Sequence, residues 1–488
     1  MLLVCLVFAQ TRSHGQTWEL DDPFGTGATT GQSQGVAKPH PETNDPCQAP
    51  PKGEQTWALL DVVDQALCRN PKTRQAWANA RFQAAQVGVN QAAYLPGLTV
   101  TTTVTRSENS SSSLSGGQQL SAAQTQGSVG SSSREQTRIT PQISMNYLLF
   151  DFGGREAKLE NAQRALDAAN WSHDAALQTV MLAAIQAYYQ VFATQAAAES
   201  THIAESSSEE ALKAAKLRHE VGAAALADAL QAQTAYAQAK LNRQKADNDA
   251  RIALGTLANA LGLEADHSMK IDPPALAKPD AERDDDVHRL IQQAKAFRPD
   301  LAAAEAQIRA AEANVEAAKS NSLPTVSLVG NYAYSNSSVF NDVQSWSVGL
   351  QLSVPLFTGF ANTYQIRSAE EQVEVHKATR EQLDQTVALD VWRAYHNLNT
   401  ARETYQSSED LVASATQSEK VALGRYKAGA GNILDLLNAQ ASLANARVQK
   451  IQAQYTWLTQ KATLAQALGS LDLSRVDAWS THEEKNRN

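Results

Sequence analysis

The sequence contains no uninterrupted apolar run approaching the roughly 18 residues that a membrane-crossing helix requires. That sets aside a bundle of transmembrane helices and leaves β-strands open. There is no surplus of positive charge either: 42 Lys and Arg stand against 51 Asp and Glu, for a net charge of −9. A nucleic-acid binder would carry a basic face or stripe, so that class is set aside too. Catalytic signatures are missing: no H-E-x-x-H, no Walker A sequence and no glycine-rich nucleotide fingerprint. The one formal match, GQSQG at residues 31–35, fits G-x-S-x-G but has no strand before it and no helix after it, so it is read as chance. The 10 histidines are scattered, and no metal or cofactor is expected. A passive protein, not an enzyme, is the expectation. Cysteine is scarce, with three in 488 residues, so at most one intramolecular disulfide can form.

The one continuous apolar segment, MLLVCLVFA at residues 1–9, reads as a secretory signal ending in a small-residue cleavage site. It lacks a basic n-region, so the natural start is expected upstream; a chance apolar run is the alternative. Cys5 stands too near the start, with Val4 before it, to be a lipidation site. If export removes Cys5, then Cys47 and Cys68 remain, and an even pair in an exported chain permits one disulfide. Such a bridge would pin the leader to the first helix; two unrelated thiols are the alternative. Residues 10–52, rich in Gly, Thr, Gln, Pro and Asp, read as a disordered leader.

What the sequence does have is a repeat. NPKTRQAWANARFQAAQVGVNQAAYLPGLTV (70–100) is matched by RPDLAAAEAQIRAAEANVEAAKSNSLPTVSL (298–328). Pro71 pairs with Pro299 and Pro96 with Pro324, each 228 residues on (299 − 71 and 324 − 96). Further along, LFDFGG (149–154) pairs with LFTGFA (356–361), RHEVGAAALADAL (218–230) with RYKAGAGNILDLL (425–437), and ANALG (258–262) with AQALG (465–469), all 207 residues on (356 − 149, 425 − 218 and 465 − 258). The chain is therefore divided into a signal segment (1–9), the leader (10–52), a first repeat (53–262), a linker (263–284), a second repeat (285–470) and a tail (471–488). In each copy a helix follows Pro71 or Pro299, with proline in its first turn. It ends at Leu-Pro, because the residue before proline is pushed out of the helical region. Two strands follow, over about 98–106 and 139–150 in the first copy and 325–334 and 344–356 in the second. A helix from about Gly154 to Glu220, or from about Ala361 to Lys427, comes next. At about 1.5 Å per residue it is on the order of 100 Å long. A turn at Gly222 or Gly429 reverses the chain, and a return helix stops near Gly262 or Gly469.

The strands alternate in polarity. Ile139, Ile143, Met145, Tyr147 and Leu149 share one face, with Thr140, Gln142, Ser144 and Asn146 on the other. Val326, Leu328, Tyr332 and Tyr334 lie opposite Thr325, Ser327 and Asn331, and Trp346, Val348, Leu350 and Leu352 lie opposite Ser347, Gly349, Gln351 and Ser353. Ten-residue strands of this pattern, joined by polar loops such as 107–137, read as membrane β-barrel strands; a small soluble sheet packed on the helices is the alternative. Four strands cannot close a barrel, and lipid forbids an open edge, so several chains must share one; three would supply twelve strands. The Ala-rich helices have small residues at helical spacing, which permits close antiparallel packing into a second, helical tube.

On the duplication, the Leu-Pro junctions, LFDFGG and LFTGFA, and the two glycine tips, the chain resembles the TolC-type outer membrane factors. The segment ALCRNPKTRQAWANARFQAAQVGV further resembles the branch serving type I protein secretion, such as the adenylate cyclase–haemolysin exporters. The resemblance implies a mainly α chain with membrane β, a homotrimer with a twelve-stranded barrel on a periplasmic α-helical coiled-coil tunnel. It implies a passive exit duct in the outer membrane, working with a periplasmic adaptor and an inner-membrane transporter of ABC type. It also assigns the tips, Arg218, Val221, Gly222, Arg425, Ala428 and Gly429, to adaptor docking; a plain stable turn is the alternative. Asp435 matches a constriction aspartate, three copies of which make a carboxylate ring, and Asp228 and Tyr426 match a gate pair. Acidity complementing a helix N-terminus is the alternative for both aspartates. The second acidic position of the family falls on Asn438 and the gate arginine on Gly431, implying a weaker cation block and a looser latch. Multidrug efflux is the alternative cargo; a trimeric adhesin anchor or a coiled-coil scaffold is more remote.

Overall fold

The computed structural model describes residues 22–30, 56–111, 132–267, 269–274, 286–338 and 341–476. The signal stretch 1–9, GQSQG, Cys47, residues 112–131 and the tail from 477 lie outside the described residues. The duplication is written into the elements. Helix α1 (Leu59–Arg69) is followed by α2 (Pro71–Ala92), strands β1 (Gly97–Ser111) and β2 (Ser132–Phe150), and helices α3 (Gly154–Glu220) and α4 (Leu226–Ala260). The second copy runs α5 (Val287–Phe297), α6 (Pro299–Ser320), β3 (Thr325–Ser337), β4 (Val343–Ser353), α7 (Ala361–Lys427) and α8 (Ile433–Ala467). Matched helices have the same lengths: 11 residues for α1 and α5, 22 for α2 and α6, 67 for α3 and α7, and 35 for α4 and α8.

Helices α1 and α5 precede the prolines and lie within the bounds 53–262 and 285–470 read for the two copies. Leu59, Val62, Val63 and Ala66 recur at helical spacing and are all buried. Asp286 caps α5 by accepting from the His288 amide at 2.9 Å. Both helices end in extended backbone at the residue before proline, Asn70 (ψ 129°) and Arg298 (ψ 125°).

The chain divides into two compact units. The first comprises residues 84–163 and 309–373 with the leader up to Thr29. Its centre is a four-stranded antiparallel sheet in the order β1-β2-β3-β4. The register sets Leu98 beside Met145, Ile143 beside Tyr332, Tyr332 beside Trp346 and Leu328 beside Leu350. All the apolar faces therefore fall on the same side of the sheet. That side is uncovered in the single chain: Leu98 is 69% exposed, Leu350 71% and Trp346 77%. At roughly 25 cal/mol per Å² such a face is costly in water and favourable in hydrocarbon. Strands β1 and β4 each have one neighbour, leaving two open edges.

The strand limits depart from the sequence expectation. β1 and β2 continue into the polar loop, to Ser111 and back from Ser132, because ladder bonds need backbone groups and not apolar side chains. β4 stops at Ser353, ahead of Pro355. Pro141, which has no N–H to donate, sits inside β2 opposite Thr102 of β1 and where the ladder to β3 skips from Ile139 to Gln142. The strand-to-helix turns each place two consecutive residues at positive φ: Phe152 (53°) and Gly153 (88°) before α3, Gly359 (61°) and Phe360 (65°) before α7. Phenylalanine is strained there. In each turn its ring packs edge-on against another, Phe150 at 4.7 Å and Phe357 at 5.6 Å.

The leader is not featureless throughout, which corrects that expectation. Thr26–Thr29 forms a 3-10 turn whose Asp22 carboxylate accepts from the Gly27 amide at 2.7 Å. It packs on α2 at Gly88, where a Cβ would lie 3.7 Å from Thr26 and 4.0 Å from Phe24. Glycine at 88 makes the seat.

The second unit holds the α1, α5, α4 and α8 helices and most of α3 and α7. Its core gathers Val62, Val63, Met181, Ile185, Tyr188, Leu257 and Leu261, all nearly inaccessible. Trp57 pairs as an isolated parallel bridge with Ile271, donating its amide to the Lys270 carbonyl at 2.9 Å, and the Tyr188 hydroxyl donates to the Asp272 carbonyl at 2.7 Å. The return helices end against the proline junctions. A Cβ on Gly262 (φ 72°) would lie 2.6 Å from the Arg69 carbonyl oxygen, and one on Gly469 (φ 69°) 2.9 Å from the Arg298 Cα. The Asn70 side chain donates to the Ala260 carbonyl at 2.9 Å in the first copy. In the second, Arg298 bridges Asp300 at 2.6 Å and Asp390 at 3.4 Å.

Candidate functional site

The two hairpin tips lie in the second unit and are built alike. At the end of α3 the Gly222 amide donates to the His219 carbonyl at 2.9 Å and the Ala223 amide to the Arg218 carbonyl at 2.8 Å. At the end of α7 the Gly429 amide donates to Tyr426 at 3.1 Å and the Ala430 amide to Arg425 at 2.9 Å. This paired closure needs a left-handed residue, and glycine supplies it at φ 74° and 76°. Neither glycine has anything within 4 Å of where a Cβ would stand, so the requirement is backbone conformation alone. Val221 is 70% exposed, and Arg425 and Ala428 are exposed with it.

The tips differ in what their side chains do. Arg218 is half-buried and reaches across to the second hairpin. Its Nη2 donates to the Tyr426 carbonyl at 2.6 Å and the Lys427 carbonyl at 3.3 Å, and its guanidinium lies 4.2 Å from the centre of the Tyr426 ring. A cation on the last carbonyls of a helix and over an aromatic face is favoured twice. Beneath it, Ala211, Leu212, Ala215 and Ala232 of the first hairpin pack with Tyr426, Ile433 and Leu436 of the second. The sequence offered no signal for this contact, because Arg218 and Tyr426 stand 208 residues apart.

Tyr426 is buried and its hydroxyl has no hydrogen-bond partner among the described residues, so the structure does not join it to Asp228. Asp228 is half-buried in the first turn of α4, whose N-cap Ala225 has no side chain to offer. Asp435 is exposed in the first turn of α8, where Asn432 caps by accepting from the Leu434 amide at 3.1 Å. Asp435, Asn438, Arg425 and Gly431 are brought together with Ser418 and Gln417 around an open groove of about 850 Å³ between α7 and α8. Cys68 is disulfide-bonded, and Cys47 lies outside the described residues. Among the described residues no group of three His, Cys, Asp or Glu could hold a metal ion, and no helix is long and apolar enough to cross a membrane.

Known proteins resemble this chain over most of its length. Protein CyaE of Bordetella pertussis is 32% identical over 445 residues, 90% of this chain and 89% of that protein. The probable efflux pump outer membrane protein TtgC of Pseudomonas putida is 26% identical over 442 residues, 85% of each chain. The crystal structure of the Campylobacter jejuni CmeC outer membrane channel superposes with a TM-score of 0.74 at 17% identity, over 92% of this chain and 98% of that one. The family profile for outer membrane efflux proteins matches residues 62–263 and 290–470, one span in each copy of the repeat. This chain belongs to the outer membrane efflux protein family: it is a channel protein of the outer membrane, with its strands contributing to a β-barrel and its helical hairpins to a periplasmic tunnel.

Proposed function

We propose that three copies share one twelve-stranded barrel and form the exit duct of a type I protein secretion system. An ABC-type inner-membrane transporter and a periplasmic adaptor supply the cargo and the energy. The observation that carries the secretion reading is the end-to-end similarity to CyaE, at 32% against 26% for the pump protein TtgC. The two open sheet edges support shared closure, since lipid cannot satisfy edge N–H and C=O groups. Exposed Val221, Ala428 and Arg425 beside the glycine turns form the adaptor-docking surface. Cys47 is the disulfide partner of Cys68. Three Asp435 carboxylates, exposed near the second tip, make a ring that concentrates cations at the tunnel mouth.

The experiment is a comparison of a deletion strain with its parent. Culture-supernatant proteins are profiled, and growth is measured under detergent and dye stress. Loss of one large secreted protein at unchanged drug tolerance is expected. An intact supernatant with heightened drug sensitivity would assign the duct to efflux, the second reading, which TtgC favours by name. For the ring, Asp435→Ala is expected to relieve block of channel current by multivalent cations; unchanged block would remove Asp435 from that role.

A further inference from the structure

The polar side of the sheet is nearly uncharged. By alternation it takes the odd positions of β1, β3 and β4 and the even positions of β2. From Thr105, Arg138, Ser337 and Val343 to the strand ends nearest the helices, those positions hold hydroxyl, amide and apolar side chains and a single ionisable one, Arg138. Arg138 stands directly opposite Thr105 on β1 and Ser337 on β3, with Gln136 and Thr140 two residues away on the same side. None of these four is a carboxylate. The Gln136 amide donates to the Ser337 hydroxyl at 2.9 Å, so those two engage each other. Arg138 is exposed, and its side chain makes no hydrogen bond or ion pair among the described residues. The apolar side of the same sheet treats an arginine differently: Arg106, two positions beyond Val104, pairs with Glu135 at 2.5 Å. A guanidinium presents five N–H donors in a fixed fork, and where no carboxylate of the chain meets them they are open to an external anion.

In lipid the apolar side faces outward, so Arg138 points into the lumen. Twelve strands about 4.8 Å apart and tilted by about 40° enclose a backbone cylinder on the order of 25 Å across. Three symmetric copies place their Arg138 residues at one height in it. Arginine is long enough to bring the three charges to within about a Debye length of one another, about 10 Å at 0.1 M salt. The wall from that height to the helices supplies nothing to neutralise them. A ring of like charge in such a lumen concentrates counter-ions and holds multivalent ones best.

We infer that Arg138 of each copy forms an anion-binding ring in the barrel lumen, whose ligands are multivalent oxyanions. The inference rests on the shared barrel proposed above and adds to it an ion site opposite in sign to the one proposed at Asp435. Thr105 and Thr140 beside each guanidinium offer hydroxyl donors to the same anion, and none of the neighbours repels it. The site belongs to the sheet alone, so it is present whether the hairpin tips are open or closed. The duct thus gathers cations at its tips and anions in its barrel.

The test uses the full-length protein in planar bilayers, with inorganic tripolyphosphate added to either side, after native mass spectrometry has given the oligomer. Tripolyphosphate is expected to block the channel current, more strongly at 0.1 M than at 1 M salt. Arg138→Gln is expected to raise the concentration for half-block at least about tenfold, and Arg138→Lys, which keeps the charge, to retain most of the block. Arg106→Gln, the same residue type on the lipid side, should leave the block unchanged. Arg138→Gln should also keep the parent's melting temperature, its conductance at 1 M salt and its block by multivalent cations, so that a lost anion block is not lost folding. No block of the parent, or equal block of the parent and Arg138→Gln, overturns the ring while leaving the shared barrel intact. Relief by Arg106→Gln as large as by Arg138→Gln would mark general surface charge and also overturn it. A monomeric preparation without current overturns the shared barrel, and the ring with it.

Discussion

The two copies of the repeat have the same helix lengths and the same glycine stops, yet they meet different neighbours. At the inner junction Asn70 bonds a carbonyl in one copy, and Arg298 bridges two carboxylates in the other. At the tips the first hairpin's seat is occupied and the second's is open. Within a single copy, the glycines divide as well. Gly262 and Gly469 are needed for conformation and for space, whereas Gly222 and Gly429 are needed for conformation only. The backbone plan of a duplicated protein is shared, and the side chains record which neighbour each copy meets.

Substitutions can break that comparison, beginning with the largest effect. Gly262→Ala and Gly469→Ala each add a Cβ within 3 Å of backbone that cannot yield, on top of a left-handed φ. A loss on the order of 3 kcal/mol or more is expected, read as a large fall in melting temperature by circular dichroism. Gly222→Ala and Gly429→Ala, with open space around them, are expected to cost about 1 kcal/mol, the left-handed penalty alone. Equal losses at all four positions would show that space is not the difference. Next, Arg298→Ala removes a side chain only 11% exposed together with its pairs to Asp300 and Asp390, which at 28% and 41% exposed are partly solvated, and should cost about 1–2 kcal/mol. Its counterpart Asn70→Ala removes one neutral hydrogen bond and should cost about 1 kcal/mol in the same melt. Asn438→Asp sharpens the proposed ring: it should deepen block by a multivalent cation in planar-bilayer recordings without changing stability. Arg106→Ala gives the smallest effect. Its pair with Glu135 is 71% and 62% exposed, and no measurable change in melting temperature is expected.

Much of this fold was legible because its signals are local. Leu-Pro and Asn-Pro or Arg-Pro mark the helix limits, glycine marks the turns, and period-two alternation marks the strands. The strand limits were less legible: polar residues such as Ser107 and Gln136 pair as readily as apolar ones once a partner strand is present. The 3-10 turn at Thr26–Thr29 escaped notice because its stability comes from Asp22 and from the gap at Gly88, more than 60 residues away. At the tips, Arg425, Asp435, Asn438 and Gly431 do gather around one groove, as spacing on two antiparallel helices allows. The placement of Arg218 on the end of α7, and the absence of a bond between Tyr426 and Asp228, could not be read.

The sequence by itself determined the duplication, the order of the strands and long helices, the limits of those helices, the apolar side of each strand and the points of reversal. These depend on residues a few positions apart, where sterics and periodicity act directly. Only the tertiary structure decided which of two equivalent grooves is filled within the chain and which arginine is engaged there. A repeat presents the same surfaces twice, and the choice between them is made by contacts some 200 residues apart, through packing that no local pattern encodes.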